Sequence, residues 1–182
     1  MYFTQDPDDA TLAERTAAGD TAAFELLVTR YERVLFSVAL RMLGNYEDAR
    51  DATQSAFVKA YRRIDGFDRR FRFFSWMYRI LLNECLNTQR GRRAYEPLAP
   101  DLAATGGPLE ALEASERRRR VQRALLALPG EYREVVVLRH FAELAYDEIA
   151  STLGIPSQTV KSRLYTARQR LHALLIDESS TT

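Results

Sequence analysis

The sequence predicts an all-α protein: two small helical domains joined by a flexible linker, the second ending in a helix-turn-helix. Three observations predict it. Apolar residues recur at three- and four-residue intervals through most of the chain, no stretch sustains the period-two alternation of a strand, and one proline/glycine-rich segment interrupts the pattern near the middle. A length of 182 residues suits one domain or two small ones, and 46% hydrophobic with 28% charged residues is the composition of a globular chain.

Phe24, Leu27, Val28, Tyr31, Leu35, Val38, Ala39 and Met42 form one apolar stripe, and Gly44-Asn45 supplies the left-handed stop that closes a helix. A second helix runs from about Glu47 to Ile64 with Ala49, Ala52, Ala56, Phe57 and Ala60 inward, and Asp65-Gly66 breaks it. A third spans about Phe74 to Arg90. From Ala94 to Gly107 the apolar period disappears among Pro97, Pro100, Gly106 and Gly107, with Pro108 next. This places a first domain at 1–94, a linker at 95–112, a second domain at 113–176 and a frayed tail at 177–182. Periodicity resumes at about Leu109 and continues through Val121, Leu125 and Leu128. Pro129-Gly130 interrupts it, and a further helix covers Glu131–Phe141. Tyr146–Leu153 then reads as a short helix, Gly154-Ile155-Pro156 as a tight turn, and Ser157 as the cap of a last helix with Val160, Leu164, Ala167 and Leu171 inward.

Composition excludes several classes. No apolar run approaches the ~20 residues of a membrane span, so no membrane insertion is expected. Met1–Ala10 is acidic, unlike a signal peptide, and the lone Cys85 fits a reducing cytoplasm. One cysteine with two separated histidines, His140 and His172, leaves no zinc framework. With no phosphate-cradling glycine loop and no nucleophile–histidine pairing, the expectation is a non-enzyme without cofactor or metal.

Net charge is only +1, but it is unevenly placed. Residues 1–58 hold five arginines against ten acids, 59–93 hold ten basic residues against three acids, and 157–172 hold Lys161, Arg163, Arg168 and Arg170 with no acid. Two basic patches point to a polyanion contacted at two places; solvated helix faces are the plain alternative. In the last helix the outer face carries Gln158, Thr159, Lys161, Ser162, Tyr165, Thr166 and Arg168, groups suited to base edges and phosphates in a major groove. Gly66–Arg93 interleaves rings with arginines, a pattern for unpaired bases and their phosphates. Phe74, Trp76 and Tyr78 are expected in the core; Phe67 and Phe71, in a loop with Arg69 and Arg70, are expected to contact bases.

Five strings in order resemble the extracytoplasmic-function sigma factors of the sigma-70 superfamily: Leu27–Tyr31 (LVTRY), Asp48–Tyr61 (DARDATQSAFVKAY), Phe67–Asn83 (FDRRFRFFSWMYRILLN), Leu128–Leu138 (LPGEYREVVVL) and Tyr146–Leu164 (YDEIASTLGIPSQTVKSRL). The resemblance implies an alternative sigma factor with core RNA polymerase (clamp helices and flap) and promoter DNA as partners. It places Asp48, Asp51, Gln54, Phe57 and Lys59 on or beside a clamp-binding helix. It places Phe67, Arg69, Arg70 and Phe71 in the loop that captures a flipped −10 base, with Asn83, Asn87, Arg90, Arg92 and Arg93 on the adjoining helix. Lys161, Ser162, Arg163, Tyr165, Thr166 and Arg168 would lie on the helix that reads the −35 element.

Two departures stand out. Arg50 and Ser55 replace carboxylates usual in the family, and Thr53 replaces an aliphatic residue. A phosphate on Thr53, the first choice because it replaces an aliphatic residue, or on Ser55, the second, would add about −1.5 to −2 charge and restore the missing field, which makes a Ser/Thr kinase a candidate activator in place of an anti-sigma factor. Ala145 stands where a capping serine or threonine is usual. The rival from another class is a two-domain helix-turn-helix regulator acting without polymerase. It needs a ligand pocket or phosphoacceptor sheet in the first half, and none is legible.

Overall fold

The computed structural model describes residues 8–93 and 109–177, and the side chains within them except at 92–93, 109–115 and 177. Among the described residues there are eight α-helices, one 3₁₀ turn and no strand. The segment 94–108, most of the expected linker, lies outside them, as does the tail from 178.

The first half is built on α2 (Thr21–Leu43), flanked by α1 (Asp9–Ala17), α3 (Tyr46–Arg62) and α4 (Phe73–Arg93). Each of α1 to α3 starts on a side-chain cap: Asp8 accepts from the Thr11 amide at 2.7 Å, Asp20 from Ala23 at 3.2 Å and Asn45 from Asp48 at 2.9 Å. The α2 stripe is buried as its spacing predicts, with Leu27 and Leu35 sealed from solvent. The alanines of α3 are equally buried and let it lie close against α2 and α4. The Ile64–Gly66 3₁₀ turn takes the end of the predicted second helix. Helix α1 was not predicted: its buried face is only Leu12, Ala13 and Thr16, too short a run for a periodic signal.

The second half comprises α5 (Leu109–Ala127), α6 (Gly130–His140), α7 (Tyr146–Leu153) and α8 (Ser157–Asp177) around Leu125, Leu128, Val135, Leu138, Ile149, Val160, Leu164 and Ala167. Gly154 ends α7 in the left-handed conformation at φ 68°, so α7, the turn and α8 form the expected helix-turn-helix. Ser157, however, does not cap α8. Pro156 supplies the first carbonyl, to the Thr159 and Val160 amides, and the Ser157 hydroxyl donates to Asp147 at 2.8 Å, tying α8 to the start of α7. Ala145 has no capping oxygen, and Glu148 compensates in part by accepting from the Ala145 amide at 2.7 Å.

The halves touch along α2, α4, α5, α6 and α7. Gln122, fully buried, donates to the Leu40 and Arg41 carbonyls and accepts from Arg41, whose guanidinium also lies 4.6 Å from the Phe141 ring centre. Arg133 donates to Leu125, Leu126 and Leu128 at the end of α5 and to Met42 at the end of α2. One guanidinium thus satisfies orphan carbonyls of two helix ends. Gly44 has two reasons to be glycine: its φ is 73°, and a Cβ there would come within 2.4 Å of Leu126 Cδ1.

Candidate nucleic-acid interface

The aromatic-basic loop is set by Phe73, which is buried at the start of α4 beneath three rings: Tyr31 and Phe67 at 5.5 Å and Trp76 at 5.6 Å between centres. Phe74 and Tyr78 are buried, as expected. Phe67 differs from expectation: it is half-buried and packs edge-on against Phe73 and at 5.4 Å against Trp76, so it supports the loop. Phe71, 53% exposed, is the ring the loop offers outward. Both loop arginines have internal partners, Arg69 with Glu14 at 2.7 Å and Arg70 with Asp68 at 2.6 Å. Hydrogen bonds from the Arg70 side chain and amide hold the Asp68 carboxyl below the usual carboxylate range. Asn83, Asn87 and Arg90 are exposed along α4; Arg92 and Arg93 continue its backbone, and their side chains lie outside the described residues.

On α8, Gln158, Lys161, Ser162, Tyr165 and Arg168 are exposed, and Thr159 and Thr166 half-buried. Tyr165 is 68% exposed and carries its ring and hydroxyl on the same face. Two predicted contacts already have partners within the chain. Arg163 pairs with Glu131 of α6 at 2.9 Å, and the Ser162 hydroxyl donates to the Thr159 carbonyl. Lys161 and Arg168 have no ion pair among the described residues. Arg168 and Arg139 add to the packing around His140 that holds this imidazole below its ordinary pKa.

A third surface lies between α2 and α3, an open groove of about 890 Å³ lined by Phe24, Val28, Phe36, Tyr46, Phe57 and Val58 among others, with Arg33, Arg50 and Arg62 around it. Phe57 forms buried floor and Gln54 is exposed. Asp51 is exposed but lies 3.7 Å from Arg50, which also pairs with Glu47 at 2.5 Å. Asp48 is half-buried, and Lys59 is turned to Glu84 of α4 at 2.6 Å, so it braces α3. Thr53 also borders the groove, yet it is only 5% exposed and its hydroxyl donates to the Ala49 carbonyl at 2.7 Å; Ser55 is half-buried.

Sequence reasoning took one set of cations into the aromatic-basic stretch without placing it on a face, and passed over another. Arg72, immediately before α4, and Arg79, on its exposed face, are in register with Asn83 and Arg90, a signal available from helical spacing. The run Arg117–Arg120 with Arg123 on α5 was available from charge counting.

A helix-turn-helix with an exposed polar face, beside a helical half with an exposed ring on a basic loop, is an arrangement suited to a transcription protein. Comparison with known proteins agrees. Family models match at residues 27–95 (Sigma-70 region 2) and 118–171 (Sigma-70, region 4). The chain is 35% identical to the ECF RNA polymerase sigma factor SigW of Bacillus subtilis over 87% of this chain and 92% of that one. It is also 35% identical to the ECF RNA polymerase sigma-E factor of Escherichia coli K12, over 90% and 92%. Among solved structures it is similar to CnrH in complex with the cytosolic domain of CnrY (TM-score 0.74, 30% identity, 93% of this chain and 97% of that one). It is likewise similar to RpoE in complex with the anti-sigma factor NepR from Bartonella quintana (TM-score 0.67, 25% identity, 84% and 96%). The chain belongs to the ECF sigma factors of RNA polymerase.

Proposed function

We propose that this sigma factor docks core polymerase through the α2–α3 groove and the Asp48–Phe57 face, captures an unpaired −10 base with Phe71, and reads a −35 duplex with α8. The domain scheme 1–94, 95–112 and 113–176 belongs to the same proposal, with α5 already helical from Leu109. The observation that carries it is the pairing of two unlike nucleic-acid surfaces on separate halves: an exposed ring over a braced loop, and Lys161, Tyr165 and Arg168 on a bare helix face. Stacking suits single strands, and cations with hydrogen-bonding groups suit a major groove. Purified core polymerase with and without the protein, on genomic DNA, tests it. New start sites dependent on the protein are expected, and their absence overturns the reading. Sequence-specific binding by the free chain as tight as by the holoenzyme would favour the two-domain regulator instead.

The proposal includes control by negative charge. Arg50 draws on Glu47 and Asp51, so the carboxylates of the docking face are neutralised locally. A phosphate on Ser55 or Thr53 would return charge beside Asp51. At Thr53 the hydroxyl must first leave the Ala49 carbonyl and turn into the groove, which makes Ser55 the easier substrate for a Ser/Thr kinase. An anti-sigma factor would act by filling the same groove. Core affinities of wild type, Thr53→Glu, Thr53→Ala, Ser55→Glu and Arg50→Glu separate these controls. Tight binding by unmodified protein, unchanged in all four variants, rules the phosphate switch out.

A further inference from the structure

One contact between the halves lies on α4, at the end of the face assigned above to the −10 strand. In helical register Arg72, Arg79, Asn83, Asn87 and Arg90 project to the same side. The last three are open along that face, and α7 engages the guanidiniums of the first two, which stay exposed on their other side. Arg72 pairs with the Glu148 carboxylate. Arg79 donates from Nε to the Thr152 carbonyl and from a terminal nitrogen to the Ser151 carbonyl, both at 3.2 Å. These carbonyls belong to the last turn of α7, where no helical amide follows to bond them and the helix carries its negative end.

Beneath the two arginines, Ser75 and Thr152 meet hydroxyl to hydroxyl at 2.8 Å, 7% and 1% exposed. Thr152 uses its proton on the Glu148 carbonyl, so Ser75 is the donor between them. The pair is buried and satisfied, which gives α7 one defined seat on α4. What α7 presents to the guanidiniums is a carboxylate and two carbonyl oxygens, an acceptor set of the kind a nucleic-acid backbone offers through its phosphates.

We propose that α7 is an internal competitor for promoter DNA: it occupies Arg72 and Arg79, two phosphate-binding arginines at the start of the −10 face, and releases them when the halves separate. This rests on the sigma reading for the identity of the strand. The competition itself needs only that a single strand and α7 use the same two guanidiniums. The helix that lends its acceptors is the first helix of the helix-turn-helix, so holding the seat also keeps α8 from moving independently of the first half.

The test locks the seat. In the full chain, Ser75→Cys with Thr152→Cys places two thiols where the hydroxyls meet. The native Cys85 is buried with its thiol pushed up to about 12, so it stays out of the exchange. The probe is a short fluorescent single-stranded DNA followed by anisotropy, with run-off transcription by added core polymerase as a second readout. The oxidised double variant should bind the DNA roughly tenfold more weakly than the reduced one, and reductant should restore binding. In the reduced background Arg79→Gln should weaken binding and lower the salt slope by about one. Failure of the disulfide to form, equal affinity of the oxidised and reduced forms, or no effect of Arg79→Gln would each overturn the competition. A reduced chain that binds DNA and loses it on oxidation, yet starts no transcription with core, supports the competition and counts against the sigma reading.

Discussion

The loop at residues 67–72 and helix α8 draw on the same residue types and treat them oppositely. The loop pairs each of its three cations inside the chain, Arg69 with Glu14, Arg70 with Asp68 and Arg72 with Glu148, and Phe71 is its exposed ring. Helix α8 leaves Lys161 and Arg168 without an ion pair among the described residues and adds an exposed Tyr165. The first arrangement fixes a shape; the second fixes a field. A pocket for one base requires its walls in place before the base arrives. Docking on a duplex gains from charge that is not already neutralised, because displaced counterions then drive association.

The largest expected effect breaks the shape. Phe73→Ala removes the ring under Tyr31, Phe67 and Trp76 and should cost about 3–5 kcal/mol of stability. Denaturant melts should show the first half unfolding early, while α8 variants of equal charge change leave the midpoint unmoved. A Phe73→Ala chain as stable as wild type would mean the loop does not depend on that ring.

Next come the two reading surfaces. Arg168→Ala or Lys161→Ala should weaken duplex binding by about 1–3 kcal/mol where the contact is bidentate to a base, and flatten its salt dependence. Arg163→Ala should do less, since Glu131 already holds that side chain. Duplex affinity at several salt concentrations checks both. An equal loss at Arg163 would show that the Glu131 pair opens on binding.

Phe71→Ala should leave stability unchanged and lose about 1–3 kcal/mol of stacking on a flipped base, read as reduced permanganate reactivity of promoter thymines. Phe67→Ala should do the reverse, lowering stability through its contacts with Phe73 and Trp76. Unchanged strand opening in Phe71→Ala would move the base contact elsewhere on α4.

Much of this was legible in the sequence for a physical reason. A helix that buries one face must repeat its apolar residues at three and four, so α2, α3, α6 and α7 appear within a residue or two of where their patterns put them. Gly44 and Gly154 were readable because left-handed helix ends select glycine. What was not legible depends on distant partners. Nothing near Phe67 in sequence says that Phe73 and Trp76 will enclose it, and nothing near Arg163 announces Glu131. Lys59 was assigned outward by family position and is held by Glu84, twenty-five residues on. The seat of α7 on α4 was invisible for the same cause: Ser75 and Thr152 are ordinary hydroxyls until the fold buries them together.

A smaller test concerns acid in the loop. Asp68 is held below the ordinary carboxylate value by Arg70, so the unfolded chain takes up this proton first as pH falls. The pair's contribution is therefore complete above the unfolded value of about 3.9 and lost as pH drops through the lower folded value. Trp76 fluorescence, which senses Phe67, should stay flat from about pH 8 to pH 5 and change only in stronger acid. A transition near neutrality would mean that Asp68 does not order the loop.

The smallest effect reads the field on the other half. His140 is also displaced downward, first by the packing around its ring and then by Arg168 and Arg139. A depressed histidine is the opposite linkage from a paired one: the unfolded chain binds the proton more readily. Its contribution is thus present above about 6.5 and is lost as pH falls through the folded value. Phosphates arriving at Arg168 would cancel part of the repulsion and leave the packing component in place. The His140 imidazole, followed by NMR with and without a −35 duplex, should therefore titrate at higher pH in the complex and stop short of a free histidine. The Arg168→Ala chain should show part of the same rise without DNA and little more with it. A value unmoved by the duplex would place Arg168 away from the phosphates, and the bare face of α8 would then owe its affinity to Lys161, Tyr165 and Gln158.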